Sequence, residues 1–174
     1  EDVKMYMKAA ERGYDKAQCN LALCYFQGLG IEKDYGRAVD NFMKAANQNN
    51  ATAQYMLSVC YQSGAGVEKD DKQVVYWSQK AAENGNVSAM YNLANCYYYG
   101  RGIEKDYNKA LEWYKKAADL GNTRAMRNIG TLYYSGHGVT QDYGKVMEWY
   151  QKAADLGEDV AMYLIDNGVP VMTE

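Results

Sequence analysis

Proline, histidine, basic clusters and long apolar runs are all scarce in this 174-residue chain. The one proline, Pro170, leaves the residues before it free to form helices, because proline interrupts a helix from within. Nineteen Lys and Arg residues against 22 Asp and Glu give a formal net charge of −3 without any basic block, so nucleic acid is not an expected partner. No apolar run approaches the roughly 18 residues of a bilayer span, which argues against membrane insertion.

Glycine and tyrosine are abundant, with 16 and 18 residues, and many of them recur with a period of 36. The recurring features are alanine pairs, glycine pairs, aspartates and tyrosines in a fixed order: Ala45-Ala46, Ala81-Ala82, Ala117-Ala118 and Ala153-Ala154; Gly28 and Gly30, Gly64 and Gly66, Gly100 and Gly102, Gly136 and Gly138; Asp34, Asp70, Asp106 and Asp142; Tyr25, Tyr61, Tyr97 and Tyr133. A period of this length is typical of repeat proteins, in which each unit is stable only when it stacks on its neighbours.

Residues 89–100 illustrate the first half of a repeat. Ala89, Leu93 and Tyr97 recur at helical spacing and predict a helix, called helix A, with one apolar face. Gly100 is expected to end this helix, because glycine adopts the left-handed conformation at a helix end without steric cost. The glycine pairs are therefore interpreted as helix stops and not as phosphate-binding loops.

The second half of the repeat predicts a helix B that begins after Asp106, whose carboxylate is well placed to cap the first turn. Its apolar stripe includes Trp113 and Tyr114, and Gly121 follows its end. The tryptophans at this position recur wherever the packing recurs, so we expect the series Trp77, Trp113 and Trp149 to lie in the core.

These repeats predict an all-α fold, a right-handed α–α superhelix, or solenoid, of 36-residue helix–turn–helix units. We expect one array over residues 1–174, with a partial repeat at 1–12, four repeats at 13–48, 49–84, 85–120 and 121–156, and a partial repeat or cap at 157–174. The chain begins within a helix B and ends in a short helix at about 159–167, closed by Gly168 and Pro170. We therefore expect a monomeric fragment of a longer array.

Residues 89–121 combine an Ala-Met-Tyr-Asn-Leu-Ala start, a Gly-x-Gly turn, an Asp-Tyr entry, a Trp-Tyr pair and an Ala-Ala-x-x-Gly exit. This pattern closely resembles the Sel-1-like repeat, the 36-residue relative of the 34-residue tetratricopeptide repeat. The resemblance covers essentially the whole chain and implies a non-enzymatic scaffold or adaptor that assembles other macromolecules. Local departures at Asn41, Asn49 and Asp71 suggest looser packing in the first two repeats.

Catalytic side chains are few. The only histidine, His137, lies in the Gly-His-Gly turn of the fourth repeat, where the other repeats have Leu29, Ala65 and Arg101, so we expect it to be solvated. Some proteins of the resembled family have been described as penicillin-binding or β-lactamase-type enzymes, but this chain has no S-x-x-K, S-D-N or K-T-G motif. We expect no catalytic residue, no cofactor and no metal site.

The four cysteines are interpreted as small buried hydrophobic residues. Cys24, Cys60 and Cys96 occupy equivalent positions in successive repeats, too far apart for disulfides, and Cys19 points to another side of its helix. A cytoplasmic or other reducing compartment is therefore favoured, and no targeting signal in this segment specifies it.

Two tripeptides, Asn50–Thr52 and Asn86–Ser88, fit the N-glycosylation pattern and fall between repeats. They would matter only in a eukaryotic secretory setting. Such tripeptides are common by chance.

The expected partner-binding surface is the concave face, which helix A lines in the related tetratricopeptide arrays. Its side chains that are not used for packing are Asn20, Tyr55, Tyr91, Asn92, Asn95, Tyr99, Arg124, Arg127 and Asn128. Tyrosine offers rigid contact area and asparagine can pair with a peptide backbone, so the predicted partner is a protein or an extended peptide. Asn92, Arg124, Arg127 and Asn128 are also placed to clamp a carboxylate.

Three other functions stay open at this point. A glycan-binding module would use the same tyrosine-rich groove. An enzyme of the cell envelope acting on β-lactams or the cell wall would need catalytic groups that the motifs do not reveal. A spacer in a longer scaffold would bind nothing through this segment.

Overall fold

The computed structural model describes residues 2–168, and within that range it contains helices and no strands. The ten helices are α1 (Asp2–Glu11), α2 (Asp15–Gln27), α3 (Tyr35–Ala46), α4 (Ala51–Ser63), α5 (Asp71–Glu83), α6 (Val87–Tyr99), α7 (Tyr107–Asp119), α8 (Thr123–Ser135), α9 (Tyr143–Asp155) and α10 (Asp159–Asn167). The predicted all-α class and the alternation of helix B and helix A are confirmed. The predicted stop at Pro170 lies outside the described residues.

The helices belong to two compact units. The first contains the described residues up to Ala89 together with Arg101–Ile103, and the second contains Met90–Gly100 and the described residues from Glu104 onward. Among the described residues, no helix is both long enough and apolar enough to cross a membrane.

Each complete helix B begins at an aspartate cap, as predicted. Asp106 Oδ1 accepts a hydrogen bond from the Lys109 amide at 3.0 Å, and the aspartates at 34, 70 and 142 cap their helices in the same way. The Asp106 amide also donates to the carbonyl of Tyr97 at 2.9 Å, which joins the start of helix B to the end of helix A. The aspartate therefore closes the turn as well as starting the helix.

Helix A begins at an asparagine cap in three of the four complete repeats, whereas α2 begins after Tyr14 without a side-chain cap. Asn50 Oδ1 accepts from the Ala53 amide at 2.9 Å, and Asn86 Oδ1 accepts from the Ala89 amide at 2.9 Å. The amide nitrogen of Asn50 in turn donates to Asp15 Oδ2 at 2.9 Å. Both asparagines that fit the glycosylation pattern therefore have a structural role as helix caps.

The two glycines of each pair have different roles, so the interpretation of both as helix stops is only half right. The first, such as Gly64, ends helix A in the left-handed conformation with φ 77°. The second, such as Gly66, lies against the backbone of the preceding helix B, where a Cβ atom would collide with the Tyr35 carbonyl oxygen. Gly102 makes the same approach to the carbonyl of Asp71. The second glycine thus permits adjacent repeats to pack closely.

Buried amides connect successive repeats of the first unit. Gln54 is fully buried, and its Nε2 donates to the Ala46 carbonyl at 3.1 Å while its Oε1 accepts from Asn84 Nδ2 at 2.9 Å. Gln18 makes the equivalent pair of bonds, to the Ala10 carbonyl and from Gln48. The nitrogen and the oxygen of each glutamine amide both have a hydrogen-bond partner, so burial leaves neither atom unsatisfied.

The core of the second unit contains the tyrosine that follows each tryptophan. Tyr114 and Tyr150 are 1% and 0% exposed. Gly130 provides room for Tyr150, because a Cβ atom at Gly130 would lie 2.5 Å from the ring. The hydroxyl of Tyr150 lies 3.0 Å from Thr131 Oγ1, so the polar tip of this buried ring is satisfied.

The predicted core position of the tryptophans is confirmed for Trp77, which is 5% exposed, and wrong for Trp113 and Trp149. Those two rings are half-buried, and a lysine ammonium lies 4.3 Å from each ring centroid. The difference has a local cause. Trp77 is followed by Ser78, whereas the other two are followed by tyrosines that occupy the core.

Gly66 and Gly85 provide a test of the close packing between repeats. Both have positive φ, but a Cβ atom at Gly85 would contact nothing within 4 Å. We expect Gly85→Ala to lower the free energy of unfolding by about 1 kcal/mol, the cost of the left-handed conformation. Gly66→Ala should lower it by about 3 kcal/mol or more, because the backbones must also separate. Urea denaturation measures both, and equal losses would contradict the assigned role of the second glycine.

Two buried serines of the first unit differ in whether their hydroxyl group is hydrogen-bonded. The Ser58 hydroxyl donates to the Tyr55 carbonyl at 2.6 Å, whereas the buried Ser78 hydroxyl has no partner among the described residues. We expect Ser78→Ala to raise the free energy of unfolding by about 1 kcal/mol and Ser58→Ala to lower it by a similar amount. Denaturant titration of both variants gives the signs. Loss of stability in Ser78→Ala would show that its hydroxyl is satisfied.

The cysteines are buried thiols, as predicted from the sequence. Burial raises the pKa of Cys60 from its ordinary range to about 11, and burial together with the nearby carboxylate of Asp15 does the same for Cys19. At pH 8 these two thiols should therefore react with Ellman's reagent at least about 100-fold more slowly than free cysteine. All four should react rapidly in denaturant. Rapid reaction of Cys19 and Cys60 in the native protein would contradict their burial.

Candidate functional site

A cleft of about 90 Å³ opens in the second unit between the end of α6 and the middle of α8, with α7 beneath it. We call it the Arg127 cleft. It is lined by Tyr98, Tyr99, Tyr114, Arg127, Asn128 and Thr131. Three of these residues lie on α8 at positions i, i+1 and i+4, which share one side of a helix. The cleft is therefore built by side chains on regular helices.

The floor of the cleft is the hydroxyl end of the buried Tyr114 ring. This hydroxyl donates to Asn95 Oδ1 and also interacts with the side-chain amide of Asn128. Burial raises the pKa of Tyr114 above its ordinary value, while the bond from Asn128 acts in the opposite direction. Tyr114 is consequently a neutral phenol whose hydrogen bonds hold Asn95 and Asn128 in place.

Arg127 provides the positive charge of the cleft. Its Nε donates to Glu158 Oε1 at 3.2 Å, and the two side chains are 24% and 11% exposed. Glu158 Oε2 accepts from the Ala161 amide at 2.6 Å, so the same carboxylate caps α10. Because Glu158 is held by the start of α10, its bond to Nε fixes the orientation of the Arg127 guanidinium.

Aromatic rings form the wall. Tyr98 and Tyr99 meet edge to face with centroids 4.9 Å apart. Behind them, His137 stacks on Tyr107 with centroids 4.4 Å apart and an interplanar angle of 1°, and its Nδ1 lies 3.1 Å from the Tyr98 hydroxyl. His137 is half-buried, so the expectation that it is solvated is wrong. The reason is that the adjacent glycine places it against tyrosines contributed by two other helices.

The nine residues expected on the partner-binding face separate into three groups. Tyr99, Arg127 and Asn128 line the Arg127 cleft. Asn95 and Tyr91 contact Tyr114 beneath it, by the hydrogen bond described above and by a ring contact at 6.0 Å. The remaining four do not line it: Asn92 and the exposed Arg124 in the second unit, and the exposed Asn20 and half-buried Tyr55 in the first. The cleft thus contains two members of the predicted carboxylate clamp.

Sequence reasoning missed the contribution of helix B to this site. Tyr114 lies 19 residues after Asn95, and Tyr150 lies 19 residues after Thr131. The equivalent pairs in the first two repeats are Leu23 with Phe42 and Val59 with Ser78, in which the helix-A residue is apolar and no tyrosine hydroxyl is present. This pairing is visible in the sequence, and it identifies which helix-A side chains face a buried hydroxyl.

The residues that the structure describes contain no group of three or more His, Cys, Asp or Glu side chains that could hold a metal ion. The Arg127 cleft itself presents amide, guanidinium, hydroxyl and aromatic groups. Its chemistry is that of polar recognition.

Comparison with known proteins agrees with this architecture. The family model described as Sel1 repeat matches residues 15–50, 51–86, 87–122 and 123–158. No curated protein sequence matches the chain.

Several solved structures share the fold. The protective antigen c5321 of uropathogenic Escherichia coli, which displays an SLR fold, is 36% identical with a TM-score of 0.90 over 96% of this chain and 37% of its own length. A Sel1 repeat protein from Oxalobacter formigenes is 33% identical with a TM-score of 0.86 over 97% of this chain and 70% of its own. The immunity protein PA5088 from Pseudomonas aeruginosa is 26% identical with a TM-score of 0.62 over 99% of this chain and 63% of its own.

This chain therefore spans little more than a third of the length of c5321. Sel1 repeat proteins are in general protein-interaction scaffolds without enzymatic activity. The four matched repeats and the two relatives above 30% identity establish that the chain belongs to the Sel1 repeat family, whose fold is an all-α solenoid.

Proposed function

We propose that this chain is a non-enzymatic interaction module that binds an extended segment of a partner protein on the helix-A surface of its second unit, with the Arg127 cleft as the anchor. The observation that carries the proposal is the composition of the cleft. Rigid aromatic rings lie beside an amide and a guanidinium, and all of them are held by regular helices. A peptide needs both kinds of contact, because its side chains are bulky and its backbone is polar.

Asn128 is suited to contact a peptide backbone. A side-chain amide carries two N–H donors and one oxygen acceptor. One of these groups interacts with the Tyr114 hydroxyl. The groups that remain can pair with the N–H or carbonyl of an extended chain. Tyr99, which is 58% exposed at the rim, adds contact area for a side chain of the partner.

The similar structures do not by themselves specify the partner. One is named a protective antigen and another an immunity protein, although both share the fold. Function in such a family depends on the surface of each member and not on the repeat itself. The partner of this chain is therefore expected to be selected by the residues of its own cleft.

Peptide selection tests the proposal. A random 12-residue phage library panned on the chain should yield peptides whose affinity is then measured by fluorescence anisotropy. Tyr99→Ala should weaken a selected peptide about tenfold, since truncation of an aromatic side chain that contacts the ligand costs about 1.4 kcal/mol. Circular dichroism and thermal melting check that the variant folds.

Tyr163→Ala is the matched control, because Tyr163 is 61% exposed on α10 of the same unit and does not line the cleft. It should change the affinity less than twofold. Peptides equally sensitive to both variants, or insensitive to Tyr99→Ala, would place the binding surface elsewhere. Failure to select peptides, combined with saturable binding on a glycan array, would favour a glycan-binding module.

A further inference from the structure

We infer that the Arg127 cleft recognises a carboxylate group of the partner, from an aspartate or glutamate side chain or from a chain terminus. This inference rests on the proposed function and assigns the chemistry of its anchor.

The hydroxyl groups of the cleft are largely engaged. Thr131 Oγ1 donates to the Arg127 carbonyl at 3.2 Å and lies 3.0 Å from the Tyr150 hydroxyl. The Tyr98 hydroxyl is paired with His137, and the Tyr114 hydroxyl with Asn95 and Asn128. The groups left to meet a ligand are the guanidinium of Arg127 and the rest of the Asn128 amide.

Within the described part of the chain, the side chain of Arg127 makes one ion pair, and that pair uses Nε. A guanidinium presents five N–H groups in a planar fork, so its two terminal amino groups keep four donors. Both oxygens of Glu158 are occupied, one by Nε and the other by the cap of α10. Glu158 therefore fixes the orientation of the Arg127 guanidinium and leaves its two terminal amino groups to bind a second acceptor.

A guanidinium has hydrogen-bond donors and no acceptor, so it binds ligands that supply acceptors. Carboxylates match the spacing of adjacent guanidinium N–H groups and accept two parallel hydrogen bonds. Among the described residues, Arg127 is the only charged one that lines the cleft, and Glu158 already pairs with its Nε. The remaining donors of the guanidinium, and not a net positive charge, thus favour a carboxylate.

The cleft is small, with a volume of about 90 Å³. A carboxylate with its attached methylene fits such a space. Ring edges carry the positive part of the aromatic quadrupole, so the edge-to-face pair of Tyr98 and Tyr99 is compatible with an anion.

The site is specific to one repeat. The residues equivalent to Arg127 are Cys19, Tyr55 and Tyr91, and those equivalent to Glu158 are Asn50, Asn86 and Asn122. The arginine and the glutamate that orients it therefore occur together where the other complete repeats have neither. The carboxylate site is a local addition to a repeated scaffold.

Nuclear magnetic resonance tests the inference with small probes on the whole chain. N-acetylalanine supplies a terminal carboxylate, the α-amide of N-acetylaspartate supplies a side-chain carboxylate, and N-acetylalaninamide has no charge. Each is titrated while the Arg127 Nε–H and Asn128 side-chain amide signals are followed. We expect saturable shifts with dissociation constants of about 1–10 mM for the two carboxylates and none for the uncharged probe. The tighter of the two identifies the source of the carboxylate.

Arg127→Gln should abolish these shifts, and Arg127→Lys, which keeps the charge but not the fork, should weaken binding at least about fivefold. Arg124→Gln, on the same helix outside the cleft, should leave the dissociation constant within about twofold. Equal shifts with N-acetylalaninamide, or retained shifts in Arg127→Gln, would overturn the inference. Selected peptides that still require Tyr99 after their acidic residues and C-terminus are neutralised would also overturn it, while leaving the proposed function intact.

Discussion

The burial of one aromatic ring per repeat underlies the second unit. Tyr150 enters the space that Gly130 leaves, and a phenol at that depth must satisfy its hydroxyl or incur a desolvation cost. Helix A supplies the partner, which is Thr131 for Tyr150 and Asn95 for Tyr114. The polar floor of the Arg127 cleft is thus a consequence of how the core is packed.

This dependence explains how the side chains of the candidate site are held in place. Asn128 is held by a hydroxyl that the core itself fixes, and Arg127 is held by a glutamate that also caps the next helix. Recognition groups that are oriented before binding lose little conformational entropy when a ligand arrives. A cleft placed on helices and supported by a second set of hydrogen bonds meets that condition better than one placed on loops.

Differences between repeats are more informative about function than the repeated pattern. The recurrent glycines, aspartates and alanines are explained by turns, caps and close packing. Two residues that change from one repeat to the next, Arg127 and His137, lie at the Arg127 cleft and its aromatic wall. Membership of the Sel1 repeat family accounts for the scaffold, and we propose that the residues at the Arg127 cleft determine what this member recognises.

The sequence by itself determined the period, the helices, their caps and the family, because these depend on local geometry and on a pattern repeated four times. It also indicated three residues of the cleft, since helical spacing shows which side chains share a face. Only the tertiary structure decided that Tyr114 forms the floor, that His137 stacks on Tyr107, and that Trp113 is half-buried while Trp77 is enclosed. Those outcomes depend on how side chains from different helices share a limited volume, and spacing along one helix carries no information about that competition.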